Sequence, residues 1–131
     1  MQDSELRVDA TNFFDAFVSA FESFDGDEIA RRYAAPYVAL HADGSLECFE
    51  TPAFISAYFQ RVLDDYRRKG CRSCRFSNLD VAPLGQQCVL TTVSWELFDE
   101  HKKVLSSWRE SYSLRRINGH LEIFTSVDHV G

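Results

Sequence analysis

The sequence predicts an α+β fold, with three helices packed on one face of a curved, mostly antiparallel sheet of about six strands. Apolar residues in the first half recur every three or four positions, which is the period of a helix. From Arg72 onward they alternate with period two, which is the period of a strand. Asn118-Gly119, a strong hairpin signal, joins two long strands near the end. The predicted order is helix, helix, strand, strand, helix and then four strands.

Two helices are predicted at the start of the chain. The first runs from Asp9 to about Phe24 and has an aromatic stripe. Asp25-Gly26-Asp27 breaks it, because Gly26 suits the position past a helix end and Asp27 can cap the next helix. The second helix covers about Glu28 to Ala35, where Pro36 stops it. The stripe of the first helix consists of Phe13, Phe14, Phe17, Val18, Phe21 and Phe24.

A small hairpin and the longest helix follow. Tyr37 to His41 and Ser45 to Phe49 are predicted strands around the turn Ala42-Asp43-Gly44. Thr51-Pro52 then provides a helix cap followed by a proline in the first turn, and Gly70 ends this third helix.

The remaining four strands comprise two runs, from about Arg72 to Ala82 and from about Gln87 to Phe98, and the hairpin between Lys103 and Val130. A two-residue turn at Asn118-Gly119 pairs Arg109 with Asp128, Tyr112 with Thr125, Leu114 with Ile123 and Arg115 with Glu122. With Glu100-His101 at the tip of the preceding loop, Thr91 pairs with Glu110 and Val93 with Trp108.

This register places a carboxylate and an imidazole on an otherwise apolar, aromatic sheet face. The face carries Val104, Ser106, Trp108, Glu110, Tyr112 and Leu114 from one strand and Leu121, Ile123, Thr125, Val127 and His129 from the next. Thr91, Val93, Trp95 and Leu97 of the preceding strand share it. The opposite face carries Arg109, Asp128 and several serines, and it is expected to fix the register or to face a second subunit.

Glu110 is the first candidate for chemistry, because desolvation on an apolar face raises the pKa of a carboxyl toward the range of a general base. Contact with water or with an arginine is the alternative. His129 lies diagonally across and could share proton transfer, or be frayed and solvated near the chain end. Tyr112 could stabilise an oxyanion, and Tyr37, Tyr58, Trp95 and Trp108 are candidate ligand contacts, although core packing explains such aromatics equally well.

Charge and composition exclude several classes of partner. The net charge is −6 and only Arg67-Arg68-Lys69 forms a basic cluster, so neither nucleic acid nor an anionic membrane is expected. No apolar run could span a bilayer and no signal peptide is evident, which predicts a cytoplasmic protein. Cys71-Arg-Ser-Cys74 lacks a second ligand pair, so no metal and no cofactor are expected.

Three local patterns add a resemblance to a known superfamily. They are the Phe-rich first helix with Asp25-Gly26-Asp27 and the later Tyr33-Ala34-Ala35-Pro36; Asp43-Gly44 before the long helix; and Ser113-Leu114-Arg115-Arg116-Ile117-Asn118-Gly119 followed by Leu121-Glu122-Ile123. With the element order, they make the chain resemble the nuclear-transport-factor-2-like superfamily and its SnoaL-like group. The resemblance implies one SnoaL-like domain over residues 1–131, a cone-like fold with an internal pocket, and a homodimer.

The superfamily includes ketosteroid isomerases, scytalone dehydratases, epoxide hydrolases, polyketide cyclases and members without known activity, so fold does not decide function here. Two hypotheses stay open. One is an isomerase, cyclase or dehydratase that uses Glu110 for acid–base chemistry on an apolar, carbonyl-bearing molecule. The other is a non-catalytic homodimer that binds a small apolar ligand or serves as an interaction module.

Overall fold

The computed structural model describes residues 3–129, in which three helices pack against one six-stranded sheet. The helices are α1 (Asp3–Glu22), α2 (Gly26–Ala30) and α3 (Pro52–Arg68); the strands are β1 (Tyr33–Leu40), β2 (Leu46–Phe49), β3 (Ser73–Leu84), β4 (Cys88–Phe98), β5 (Val104–Ile117) and β6 (His120–Asp128). The sheet order is β2-β1-β6-β5-β4-β3, with β1 and β6 parallel and all other neighbours antiparallel. The predicted α+β class is confirmed.

Helix α1 supplies most of the aromatic side chains that cover the sheet. Phe14 is fully buried, and its ring lies 5.6 Å from those of Phe76 and Tyr112 and 6.1 Å from that of Trp95, measured between centroids. The helix begins six residues before the predicted Asp9, at Asp3. Leu6 is buried one turn before Ala10 and two turns before Phe13, so the apolar stripe continues toward the N-terminus and stabilises this extra length.

The predicted second helix is too long, because Tyr33-Ala34-Ala35-Pro36 belongs to β1 and α2 ends at Ala30. Tyr33 pairs with Ile123 of β6, and the backbone of Ile123 donates to the carbonyl of Arg32 at 2.9 Å. Pairing with a strand far away in sequence therefore overrides the local helical pattern. Pro36 is tolerated because the β1–β6 register is interrupted between Tyr33 and Val38.

Helix α3 has the predicted ends. The Thr51 hydroxyl accepts a hydrogen bond from the backbone of Phe54 at 3.2 Å, Pro52 occupies the first turn, and Gly70 has a φ of +99° just beyond the last turn. The helix buries Ile55 and Leu63 against the core. No helix within residues 3–129 combines the length and the apolar character needed to cross a bilayer.

The β5–β6 hairpin follows the predicted register only near its turn. Leu114 pairs with Ile123 and Arg115 with Glu122, but Phe124 is an extra residue in β6, and beyond it Tyr112 pairs with Ser126 and Glu110 with Asp128. The predicted Tyr112–Thr125 and Arg109–Asp128 pairs are therefore wrong. A one-residue bulge moves every following side chain to the other face.

The bulge exchanges the residues of β6 between the two faces of the sheet. Ser126 and Asp128 lie on the inner face, toward the helices, whereas Val127 and His129 lie on the outer face. The predicted placement of His129 beside Glu110 is wrong for this reason. On the outer face, Arg109 forms an ion pair with Asp80 at 2.7 Å instead of pairing with Asp128.

The β4–β5 register differs from the prediction by two residues, because the connection at Asp99–Lys103 is longer than a two-residue turn. Val93 pairs with Glu110 and Trp95 with Trp108. A shift of two residues preserves the face of every side chain. The predicted inner face of β4, with Thr91, Val93, Trp95 and Leu97, is thus confirmed.

Candidate functional site

A cavity of about 130 Å³ lies between the inner face of the sheet and the helices. Six of the seven sequence-predicted site residues line it: Tyr37, Tyr58, Trp95, Trp108, Glu110 and Tyr112. Further lining residues are Phe17, Phe21, Ile29, Tyr33, Ala39, His41, Phe59, Val62, Leu63, Tyr66, Cys74, Leu97, Ser126 and Asp128. The walls are therefore largely aromatic, with a few polar groups among them.

Glu110 and Asp128 form a carboxyl pair on the cavity wall. They are directly opposite each other on β5 and β6. The backbone nitrogen of His129 donates to the carbonyl of Arg109 at 3.0 Å, so the neighbouring Glu110–Asp128 pair is of the type without ladder hydrogen bonds, in which side chains approach most closely. Both residues are half-buried. Two acidic side chains thus share one small apolar space.

The surroundings of Glu110 favour its protonated form. Burial, followed by the negative charge of Asp128, raises the pKa of Glu110 to about 8. Hydrogen bonds from Trp108 and Tyr112 lower the pKa of Glu110 in part. The Trp108 indole donates to Oε1 at 2.9 Å. The raised pKa favours the protonated form of Glu110, which can donate a hydrogen bond as well as accept one.

Tyrosine hydroxyls provide further polar groups in the cavity. A hydrogen bond of 2.6 Å joins Tyr37 Oη and Ser126 Oγ, and the indole of Trp95 donates to Tyr112 Oη at 2.8 Å. Burial raises the pKa of Tyr37 and of Tyr112 above the usual tyrosine range, and it raises the pKa of Tyr58 to about 12. These phenols stay neutral, and the one hydroxyl proton of Tyr112 is already donated to Glu110.

His129, the seventh predicted residue, lies away from the cavity. Its side chain is exposed on the outer face, where Nε2 lies 2.7 Å from the hydroxyl of Ser111. His41 is the histidine that lines the cavity, and its Nε2 lies 2.7 Å from Glu47 Oε1. Sequence reasoning had placed His41 only at the end of a strand.

Asp128 and Ser126 are the important residues that sequence reasoning missed. The simple two-residue turn placed both on the outer face, and the bulge at Phe124 reverses this. The sequence contains one sign of it, since Ile123-Phe124 sets two large apolar residues side by side and breaks the alternation of β6. Among residues 3–129, no three His, Cys, Asp or Glu side chains cluster as a metal site would require.

Comparisons with known proteins agree with this architecture. The family model described as NTF2-like protein (DUF6841) matches residues 4–130. Among curated proteins, none matches the sequence. Aln2 from a Streptomyces species is 19% identical, with a TM-score of 0.80 over 98% of this chain and 93% of that protein.

Two further solved structures show the same fold. A protein of unknown function with a cystatin-like fold from Nostoc punctiforme is 14% identical and has a TM-score of 0.76, over 93% of this chain and 88% of its own. An NTF2-like protein with a cystatin-like fold from Novosphingobium aromaticivorans is 11% identical and has the same TM-score of 0.76, over 95% of this chain and 80% of its own. Identities this low indicate shared fold alone. Because the family model matches all but a few terminal residues, the chain belongs to the NTF2-like proteins of DUF6841.

Proposed function

We propose that the cavity binds a small apolar molecule that bears a carbonyl group, and that Glu110 and Asp128 transfer protons to and from it. The observation that carries this proposal is the pairing of the two carboxyls on the wall of an aromatic cavity. Paired carboxyls in an apolar site cannot both be charged cheaply, so the charge of Asp128 favours the protonated form of Glu110. Such a pair contains an acid and a base side by side.

The size of the cavity limits the ligand. Its volume of about 130 Å³ is close to that of an apolar cavity of about 150 Å³ known to hold one benzene molecule. A ligand of about one ring therefore fits the space in this structure. Tyr33, Tyr37, Phe59 and Trp95 offer ring faces and edges against which it could pack.

The proposed step is enolisation. The protonated carboxyl of Glu110 donates its proton to the carbonyl oxygen, while the carboxylate of Asp128 takes a proton from the adjacent carbon, whose C–H electron pair forms the new C=C bond. Return of a proton to the same carbon gives exchange. In an unsaturated ketone, whose enol is a conjugated dienol, return to the far end of the dienol gives isomerisation. At neutral pH Glu110 is thus the acid of the pair, whereas the sequence alone suggested a base. The hydroxyl of Tyr112 hydrogen-bonds to Glu110, so it would stabilise the carboxylate that remains after Glu110 has donated its proton.

Hydrogen exchange on cyclohexanone tests the proposal, because this ketone has the size of one ring. In D₂O, NMR would follow loss of its α-hydrogens with the wild-type chain, Glu110→Gln and Asp128→Asn. We expect either substitution to reduce the protein-dependent rate by about a hundredfold or more, as loss of a general acid or base does. Glu100→Gln, in an exposed loop, is the matched control and should exchange at the wild-type rate. Equal rates in all four proteins would contradict the proposal.

A homodimer that binds a ligand without catalysis is the second candidate, and the outer sheet face favours the dimer. Leu40 pairs with Val127, Val127 with Ser111, and Leu90 with Ser113, so exposed apolar side chains and serines form one continuous surface across β1, β6, β5 and β4. Association through this face would cover the exposed leucines and valine. Binding of cyclohexanone without any exchange would favour this candidate over the enzyme.

A further inference from the structure

A second cleft lies outside the aromatic cavity and shares no lining residue with it. It is open, has a volume of about 430 Å³, and is bounded by α1, by the segment that joins α2 to β1, and by the β5–β6 turn. Its polar lining is dominated by arginines, with other polar side chains beside them: Arg31, Arg32, Arg116, Asp9, Asn12 and His120. The enolisation proposed above uses none of these residues.

Arg32 differs from the other two arginines of the cleft. Its Nε is shielded from solvent and has no hydrogen-bond partner among residues 3–129. By contrast, Arg31 pairs with Glu28 and Arg116 with Asp9, each at 3.1 Å. Buried donors in folded proteins are nearly always satisfied, so a shielded N–H on a charged group is unusual.

The backbone holds Arg32 firmly at this place. Its carbonyl accepts from the backbone of Ile123 at 2.9 Å, at the point where β1 begins beside β6. The neighbouring Tyr33 is buried in the core, which fixes the chain on the other side. The guanidinium is thus presented from a rigid part of the fold, which reduces the entropy lost when a ligand binds.

The charge of the cleft is opposite to that of the protein. Its lining contains three arginines and one aspartate, although the chain as a whole carries a net charge of −6. Glu28 and Asp9 offset part of the charge of Arg31 and Arg116. A concentration of positive charge in a concave site attracts anions. The planar fork of an arginine matches the oxygens of a carboxylate or a phosphate, to which it can donate two parallel hydrogen bonds.

We propose that this cleft binds a small oxyanion, the carboxylate or phosphate group of a metabolite, with Arg32 as its principal ligand. The anion accepts hydrogen bonds from the Arg32 guanidinium and is further attracted by the charges of Arg31 and Arg116. The site is independent of the carboxyl pair in the aromatic cavity, and the ligand need not be a substrate.

Isothermal titration calorimetry with inorganic phosphate and, separately, with acetate tests the proposal on the full chain at constant ionic strength. We expect saturable binding of at least one of the two, which also identifies the preferred oxyanion. Arg32→Gln should weaken that binding by about tenfold or more, because it removes a charge-assisted pair of hydrogen bonds. Arg32→Lys should weaken it less, since the charge remains while the fork is lost.

Arg68→Gln is the matched control, because Arg68 is an exposed arginine of α3 paired with Asp65, and its loss changes the net charge equally. It should bind the anion as the wild type does, and so should Glu110→Gln. Thermal unfolding supplies a second measurement: the anion should raise the melting temperature of the wild type and of Arg68→Gln, but not that of Arg32→Gln. The proposal would be overturned if neither anion binds to the wild type. It would also be overturned if Arg32→Gln binds the preferred anion as tightly as the wild type does.

Discussion

The carboxyl group of Glu110 acquires its properties from its neighbours. Val93 and Asp128 lie opposite it on the two adjoining strands, and Trp108 donates to it from its own strand. Val93 is fully buried, so one side of the carboxyl lacks water. The nearby carboxylate of Asp128 adds repulsion, which a proton on Glu110 removes.

Glu110→Gln should therefore stabilise the protein, increasingly so as the pH rises. Because the pKa of Glu110 is raised from 4.5 to about 8, the native state binds more protons than the unfolded chain between these values, and its free energy of unfolding falls as pH increases through them. Glutamine does not titrate, so the free energy of unfolding of the variant does not fall in this way. Below this range the two proteins should be equally stable, and above it the variant should be more stable by on the order of 2–4 kcal/mol.

Urea unfolding across that pH range measures the difference, with Glu100→Gln as an exposed control that should show no such trend. A variant less stable than the parent at pH 8 would mean that Glu110 is ionised and held in a structural network. That outcome would also remove the basis for its role as an acid.

Helix α2 is short, and its position depends on close contact with α3. The backbone nitrogen of Gly26 donates to the side-chain oxygen of Gln60 at 2.7 Å. A methyl group on Gly26 would lie 2.6 Å from the backbone oxygen of Ser56 and 2.8 Å from the backbone nitrogen of Gln60. Both atoms belong to the backbone of α3, so neither can move aside without displacing the helix.

Gly26→Ala should accordingly destabilise the fold by about 3 kcal/mol, at the upper end of the usual cost of overpacking. Gly44→Ala is the comparison: its φ of +86° disfavours alanine, but no atom lies within 4 Å of the added methyl group, and we expect a loss of only about 1 kcal/mol. Urea unfolding of the two variants measures both. If Gly26→Ala costs no more than Gly44→Ala, α2 does not require the tight approach to α3.

Subunit association belongs to the scale of the whole molecule. We expect a homodimer through the outer sheet face, with a mass twice that of the 15.0 kDa chain in sedimentation equilibrium at micromolar concentration. Val127→Glu should shift the protein toward monomer, because it places a charge in the middle of the apolar surface. Val8→Glu, at an exposed valine on α1, is the control and should leave the mass unchanged. A wild type that sediments only as a 15.0 kDa species would rule out this association.

Local signals in the sequence determined most of the elements of this protein. The Phe stripe of α1, the Thr51-Pro52 start of α3 and the Asn118-Gly119 turn each depend on residues close together in the chain, and each predicted the correct structure. The alternation of β4 and β5 likewise placed Trp95, Trp108, Glu110 and Tyr112 on one face, and all four line the cavity. Period and turn chemistry suffice for such features.

The tertiary structure alone decided where β1 begins and which residues meet Glu110. Tyr33 joined a strand instead of a helix because β6, far away in sequence, offered it a partner. The bulge at Phe124 turned Asp128 and Ser126 inward and His129 outward, thereby replacing a predicted carboxyl–imidazole pair with a pair of carboxyls. A strand alternates with period two, so one inserted residue reverses everything after it, and only packing of the whole sheet against the helices selects where that residue goes.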